Sequence, residues 1–204
     1  MSISRSGFSC TTFYKYGICM ASLMCRESTH MGLPFSIAQS HDRSYFDTAT
    51  MALAFTPFWI NLYTAAKLPS AWLAGVRVHS LSNTECETRV RHRWINQNPF
   101  QSMYFAVQAM AAEMSTGLLL IAKIRESGQP VSMLVANNRA HFSKKARGRL
   151  RFRCTDGAAL EAAVREALAS GEGRTVWVRS EGRDESGDLV SSFEFEWTVR
   201  GKAG

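Results

Sequence analysis

The sequence lacks the short motifs that mark many enzyme classes. It contains no Gly-rich phosphate loop, no GxSxG turn and no HExxH pair. Internal repeats and low-complexity runs are missing as well. These absences exclude the motif-bearing forms of phosphate-loop nucleotidases, nucleophile-elbow hydrolases and zinc proteases. Any catalytic function therefore has to be sought in single residues and their placement.

Cysteine is scarce, and its spacing forms no recognisable motif. No two cysteines form a CxxC pair, and their number is odd; they are Cys10, Cys19, Cys25, Cys86 and Cys154. A chain of 204 residues does not need a disulfide framework. We expect free thiols and a cytoplasmic location. No His, Cys and Asp residues have metal-ligand spacing, so neither a metal nor a cofactor is expected.

The sequence also has no convincing membrane span. A span needs roughly 20 mostly apolar residues. Residues 99–122 are long enough, but Gln101, Gln108 and Glu113 interrupt them. This stretch is better explained as a buried helix of a folded domain.

Negative charge is in deficit, and the formal net charge is +7. Such a balance suits nucleic acid, anionic lipid or a phosphorylated ligand. The basic residues concentrate in one segment: Lys144, Lys145, Arg147, Arg149, Arg151 and Arg153. Three interpretations stay open: a solvated strand face, a site for the phosphates of coenzyme A, and a nucleic-acid surface. No aromatic residue is expected among these arginines on their outward face, so nucleic acid is not expected as a partner.

The chain is organised around residues 96–123, NQNPFQSMYFAVQAMAAEMSTGLLLIAK. Between Pro99 and Ala122 the only charged side chain is Glu113. A helix that is apolar on nearly all sides is a buried helix. A carboxylate there is costly unless it is paired, hydrogen-bonded or used chemically. Glu113 is therefore a candidate active-site residue, and a structural ion pair is the alternative.

Alternation of apolar and polar residues predicts strands around this helix. The predicted strands are 76–81, 85–94, 131–142, 149–154, 174–181 and 189–200. A second helix over 157–170, capped by Asp156, separates the fourth and fifth strands. One or two short helices between Phe55 and Gly75 precede the first strand. The predicted class is α+β, with an N-terminal helical cap followed by the order β-β-α-β-β-α-β-β, in which the sheet lies around the central helix.

Residues 1–48 differ from the rest, since they show neither helical nor strand periodicity. They are either an extension with no fixed structure or a stretch upstream of the true start, with translation beginning near Met51. The alternative is an ordinary N-terminal arm that docks on the domain. Residues 49–204 are expected to form a single domain.

Three stretches resemble the hotdog-fold superfamily of acyl-CoA thioesterases, in a bacterial branch labelled as a domain of unknown function. They are FWINLYTAAKLPSAWLAGVRV, RHRWINQNPFQSMYFAVQAMAAE and NNRAHFSKKARGRL, and together they cover about residues 55–153. The resemblance implies an antiparallel sheet wrapped around a long central helix. It also implies a homodimer or tetramer whose sites lie between subunits.

The resemblance assigns roles to particular residues. Ala112-Glu113 matches an Ala-Glu pair of the family, which makes Glu113 the catalytic base or nucleophile. Tyr104, Phe105 and Ala106 fall where many members have His-Gly-Gly, at the helix start whose amides polarise the thioester carbonyl. The branch often has glycine where this chain has Gln101 or Ala106.

Other candidates complete the expected site. Asn98 is either a loop cap or a substrate contact, and Asn137 and Asn138 are either pocket residues or solvated strand residues. Lys144, Lys145, Arg147 and Arg149 are the candidates for coenzyme A phosphates. The predicted function is hydrolysis of acyl-CoA or another acyl thioester. The alternative is a non-catalytic hotdog module that binds acyl-CoA or lipid, or serves as a dimeric scaffold.

Overall fold

A computed structural model describes residues 56–202, and the segment 1–48 considered above lies outside the described residues. The described part of the chain begins with two short helices, α1 (Pro57–Lys67) and α2 (Pro69–Ala74). Each starts with a proline, whose fixed φ and missing N–H suit a first helical turn. Gly75 ends α2 with φ 89°, a left-handed conformation that glycine adopts freely. The predicted helical cap is confirmed.

The six strands form one antiparallel sheet. Their bounds are β1 (Arg77–Leu81), β2 (Cys86–Arg91), β3 (Val131–Phe142), β4 (Arg149–Cys154), β5 (Arg174–Arg183) and β6 (Leu189–Gly201). The strand order is β1-β2-β4-β5-β6-β3, so β1 and β3 are the edges. On the last strand, β6, the side chains of Phe193, Phe195 and Trp197 face inward and are buried.

The central helix α3 (Phe105–Glu126) lies against this sheet and is held by buried side-chain hydrogen bonds. The Thr88 hydroxyl donates to the Ala111 carbonyl at 2.7 Å, and the Trp197 indole donates to the Thr116 hydroxyl at 3.1 Å. The Ser115 and Ser180 hydroxyls lie 2.8 Å apart. These bonds offset the cost of burying polar groups and fix the rotation of the helix on the sheet.

Length and composition alone would let α3 span a bilayer. However, 56% of its most apolar 18-residue window is buried inside the fold, which identifies it as the core helix. The second long helix, α4 (Gly157–Ser170), packs beside it. Nζ of the buried Lys123 on α3 lies 3.2 Å from an oxygen of Glu161 on α4 and 2.8 Å from one of Glu126.

The second strand is shorter than the alternation predicted. It ends at Arg91, and Trp94–Asn96 form a 3₁₀ turn in which Trp94 is 82% exposed. The Asn96 side chain ends the strand because it accepts from the Arg93 N–H at 2.8 Å and donates to the Arg91 carbonyl at 2.9 Å. Extension of the strand to Trp94 was therefore wrong.

Two predicted helix starts also need correction. The central helix begins at Phe105 and not near Pro99, since residues 97–103 form a loop closed by a bridge between Gln97 and Met103. Asp156 does not cap α4 through its side chain. Its carboxylate instead accepts a hydrogen bond of 2.7 Å from the Arg179 N–H on β5.

A β-bulge interrupts the edge strand β3. Val135 pairs with Trp197 and Asn137 with Glu196, so Ala136 is the extra residue. The bulge changes which side chains lie on the inner side of the sheet. Val135 lies there before the bulge and Asn138 after it, whereas Asn137 lies on the outer side beside Glu196.

Cys86 on β2 and Cys154 on β4 face each other in register and are both buried. Desolvation raises the pKa of each thiol to about 12.

Candidate active site

The start of α3 leaves backbone donors free. Tyr104 precedes the helix with φ −62° and ψ 135°, and its side chain does not cap the helix. The Val107 N–H donates to the Tyr104 carbonyl at 3.0 Å. Phe105 and Ala106 occupy the first two helical positions, whose N–H groups have no acceptor within the helix. These two amides, at the positive end of the helix dipole, suit a partly negative oxygen.

The loop before the helix is held in one conformation. The Asn98 carboxamide oxygen accepts from the N–H groups of Phe100 and Ser102, at 3.0 and 3.2 Å. The Met103 N–H donates to the Ala146 carbonyl at 2.8 Å, which ties the helix start to the β3–β4 connection. Asn98 therefore shapes the loop and does not cap α3.

A cleft of about 540 Å³ opens beside these amides. Three exposed aromatic residues form part of its wall: Phe100, Tyr104 and Phe105. The remaining lining residues are Asn98, Pro99, Ser102, Met103, Gln108, Phe142, Ser143, Lys144, Lys145 and Ala146. The wall is mainly apolar, with two lysines at one side, which suits an acyl chain that ends in an anionic carrier.

Glu113 lies on the same helix but not in the cleft. It follows Phe105 by eight residues, or roughly 12 Å along the axis. The residue is exposed in the single chain, and partial desolvation of its carboxylate raises the pKa above the usual range. Within residues 56–202 its carboxylate forms no ion pair. The structural alternative proposed from the sequence thus lacks a described partner.

The structure separates the other predicted residues into three groups. Asn98, Tyr104, Phe105, Lys144 and Lys145 line the cleft, and Ala106 follows directly on the helix. Asn138 faces the helix side of the sheet, while Asn137 lies on the outer side and donates to Glu196 at 2.6 Å. Arg147 and Arg149 do not line the cleft.

The basic residues differ in how free they are. Nζ of Lys144 lies 2.6 Å from a carboxylate oxygen of Asp184 and 2.8 Å from one of Asp188, and these hydrogen bonds raise its pKa. Arg147 donates to the Gln101 carbonyl at 3.2 Å. Lys145 is exposed and has no ion pair in the described part of the chain.

Sequence reasoning missed several lining residues, among them Ser102, Met103, Gln108 and Phe142. Gln108 donates to the Met103 carbonyl at 3.2 Å and accepts from the Ser191 hydroxyl at 2.9 Å. A buried glutamine in the first turns of an apolar helix was the signal that could have identified it. No group of three or more His, Cys, Asp and Glu side chains within residues 56–202 is arranged to hold a metal ion.

The model of one protein family, "Domain of unknown function (DUF4442)", matches residues 59–199. No curated protein matches the chain.

Several solved structures share the architecture. A Pseudomonas aeruginosa protein of unknown function, described as a probable thioesterase, is 19% identical with a TM-score of 0.63, covering 72% of this chain and 97% of its own. A Chlorobaculum tepidum protein of unknown function is 14% identical with a TM-score of 0.61, covering 74% and 99%. A Haemophilus influenzae thioesterase is 13% identical with a TM-score of 0.53, covering 72% and 92%. These likenesses confirm the predicted hotdog fold.

Proposed function

The chain belongs to the DUF4442 family, and from that premise we propose that it hydrolyses acyl thioesters. One observation carries the proposal. The core helix combines a desolvated carboxylate, Glu113, with a helix start whose free amides of Phe105 and Ala106 adjoin a mainly apolar cleft. Hydrolysis of a thioester needs these two components, a base and a set of donors for the oxyanion.

Each component has a defined task in the proposed reaction. The amides of Phe105 and Ala106 donate to the thioester carbonyl oxygen and stabilise the negative charge that develops on it. Glu113 removes a proton from water, whose oxygen attacks the carbonyl carbon. The tetrahedral intermediate then expels the thiolate, which takes up the proton held by Glu113 and leaves as a thiol. A raised pKa makes Glu113 a stronger base than an exposed carboxylate. In a variant of this scheme the Glu113 carboxylate attacks the carbonyl carbon itself and the thiolate leaves. Water then hydrolyses the resulting acyl–glutamyl anhydride, which releases the carboxylic acid and restores Glu113.

The two components are too far apart to act on one carbonyl group within a single chain, since roughly 12 Å of helix separates them. We propose a homodimer in which Glu113 of one subunit serves the helix start of the other. The edge strand β3, which is 12 residues long, supports this arrangement, because a long unpaired strand edge normally requires cover.

Coenzyme A is the proposed carrier of the acyl group. The aromatic wall formed by Phe100, Tyr104 and Phe105 suits the acyl chain. Lys145, which is exposed and lines the cleft, is the proposed contact of a phosphate, because Lys144 is already paired with Asp184 and Asp188. The likeness to structures described as thioesterases agrees with this substrate class.

A non-catalytic acyl-binding module is the second candidate. The Phe105 side chain, 55% exposed at the helix start, favours it, because the resemblance places small glycines in this part of the site. A bulky residue there narrows the approach of the carbonyl to the amides. Saturable binding of acyl-CoA without turnover would support this candidate.

The first experiment measures thiol release by the full-length protein from short, long and aromatic acyl-CoAs, and compares matched variants. Phe105→Pro removes one amide donor, and the extended Tyr104 already suits a residue before proline. Phe105→Ala removes the same ring but keeps the donor. We expect kcat to fall about 10²–10³-fold in the proline variant relative to the alanine variant. Equal rates in the two would exclude the amide from catalysis.

A second experiment tests the shared site. Glu113→Gln and Phe105→Pro are each expected to be nearly inactive alone. In a mixed dimer with one chain of each variant, one of the two sites would carry neither substitution. Random mixing makes about half of the dimers mixed, so about a quarter of the wild-type rate should return. A site contained within one chain would give no restoration.

A further inference from the structure

The outer face of the sheet, which points away from α3, carries arginines placed directly opposite one another. Arg89 on β2 pairs in register with Arg151 on β4, which pairs with Arg183 on β5. In the next row Arg91 pairs with Arg149. Neighbouring strands are about 4.8 Å apart, so the five side chains start within a patch roughly 10 Å across. We call these five residues the arginine face.

Only part of this charge is neutralised. Glu87 binds Arg89 at 2.7 Å, and Glu181 binds Arg183 at 2.8 Å. Arg91, Arg149 and Arg151 are exposed and form no ion pair with any carboxylate in residues 56–202. Like charges directly opposite on a sheet destabilise it. An arrangement that is unfavourable in the free protein is consistent with an anionic partner that offsets the repulsion.

Exposed apolar residues border the arginine face. The chain leaves β2 after Arg91 and enters the 3₁₀ turn, where Trp94 is 82% and Ile95 48% exposed. The Asn96 side chain donates to the carbonyls of both Arg91 and Ala74, at 2.9 and 2.8 Å. This holds the end of α2, with Leu73 61% exposed, beside the same turn. An aromatic and two aliphatic residues thus adjoin the unpaired arginines.

We propose that the arginine face, with Trp94, Ile95 and Leu73 beside it, docks on the surface of an anionic phospholipid membrane. Guanidinium groups pair with phosphates, and tryptophan prefers the boundary between water and lipid. Stacking of nucleotide bases would need aromatic side chains between the arginines, but Trp94 lies at the border of the arginine face, and Trp177 lies six residues from Arg183 along β5, roughly 20 Å away.

The test measures binding of the full-length protein to vesicles by sedimentation. We expect binding to vesicles of phosphatidylglycerol and phosphatidylcholine, little binding to phosphatidylcholine alone, and weaker binding as salt rises from about 0.1 M. Arg91→Gln, Arg149→Gln and Arg151→Gln combined should lower the partition coefficient about 100-fold, since each arginine contributes about fivefold. Trp94→Ser should lower it separately.

The control removes the same charge elsewhere, with Arg165→Gln, Arg200→Gln and Lys202→Gln, all at exposed positions outside the arginine face. It should bind almost as the wild type does. The arginine variant should melt no lower than the wild type, because it relieves repulsion. Equal losses in the two triple variants, no binding by the wild type, or preferred binding of duplex DNA or RNA over anionic vesicles would each overturn the proposal.

Discussion

At the scale of single residues, Gln101 shows backbone strain beside the cleft. It has φ 57° and is the only non-glycine residue with positive φ among those described. A side chain in this conformation destabilises the folded state by roughly 1–2 kcal/mol. A glycine would remove this strain, but its greater freedom in the unfolded chain would lower the stability by roughly 0.5–1 kcal/mol. We therefore expect Gln101→Gly to raise the free energy of unfolding by about 0.5 kcal/mol, measured by urea denaturation.

The matched control for this change is Gln97→Gly. Gln97 has an ordinary φ of −92°, so glycine there brings no relief and should lower stability. Equal effects of the two substitutions would show that the Gln101 backbone is not strained. The branch that the sequence resembles often has glycine at this position or at Ala106, and the left-handed φ gives a physical reason for it at Gln101.

Glu113 should make stability depend on pH. Desolvation raises its pKa in the folded state above the unfolded value of about 4.3, so the folded protein prefers the protonated form. The stability that protonated Glu113 contributes is fully present below the pKa of the unfolded state and is lost as the pH rises through the pKa of the folded state. Glu113→Gln should therefore melt at a higher temperature than the wild type at pH 7, with the difference vanishing near pH 4.

Thermal melts of both proteins across that pH range measure the effect. Glu166→Gln, at an exposed position of α4, controls for the loss of one carboxylate. A Glu113→Gln variant that melts lower than the wild type at pH 7 would show that the carboxylate stabilises the fold, and would argue against a role reserved for chemistry.

At the scale of elements, the contact of β4 with β5 depends on a missing side chain. A Cβ at Gly182 would lie 2.5 Å from the Phe152 ring and 2.9 Å from the Ser191 hydroxyl. Phe152 is fully buried and cannot move aside without disturbing the core. We expect Gly182→Ala to lower the free energy of unfolding by about 1–3 kcal/mol in urea denaturation.

Gly173→Ala is the comparison for that experiment. Its added Cβ would meet the nearest atoms only at 4.0 Å, so little change is expected. A loss at Gly173 as large as at Gly182 would point to backbone freedom instead of crowding.

The strands and helices were predictable from local pattern, whereas their ends were not. Inward Leu150 and Phe152 alternate with arginines, and this period is visible without any structure. The end of β2 depends on the Asn96 side chain reaching back to Arg91, a contact that no local pattern encodes. Asn137 and Asn138 looked equivalent, but the bulge at Ala136 decides which of them faces the helix.

The candidate site was predictable only in outline. The lone charge in an apolar helix made Glu113 a candidate, and its catalytic role stays a prediction; Asn98, a candidate from the loop before the helix, lies at the cleft. The cleft is also lined by Phe142 and Gln108, because tertiary packing brings the end of β3 close to the start of α3. Arg149 belongs to the outer face because β4 alternates and Leu150 points inward, so it was grouped with the cleft lysines by sequence proximity alone.

At the scale of the whole molecule, the proposed dimer should depend on the edge strand β3. Leu134 is 43% exposed there, in a half of the strand that pairs regularly with β6. Leu134→Lys would place a charge in the interface twice, once from each subunit. We expect the dimer to dissociate at least about tenfold more readily, which corresponds to about 1.4 kcal/mol. Light scattering against the chain mass of 22.7 kDa measures this.

Leu62→Lys is the control, since Leu62 is 52% exposed on α1 and does not belong to β3. Thioester hydrolysis should fall with the dimer fraction in Leu134→Lys and persist in Leu62→Lys. A wild-type protein that is monomeric at all concentrations yet active would contradict the shared site.

The facing thiols of Cys86 and Cys154 can report how often the sheet opens. Burial and a pKa of about 12 make both thiols unreactive toward electrophiles as long as β2 and β4 stay paired. Each alkylation event therefore records one opening of the central sheet, and mass spectrometry of the peptides that contain them counts those events over time. The rate of labelling without an acyl-CoA would show how often the sheet of the native protein opens. The rate with an acyl-CoA would show whether an occupied cleft slows this opening.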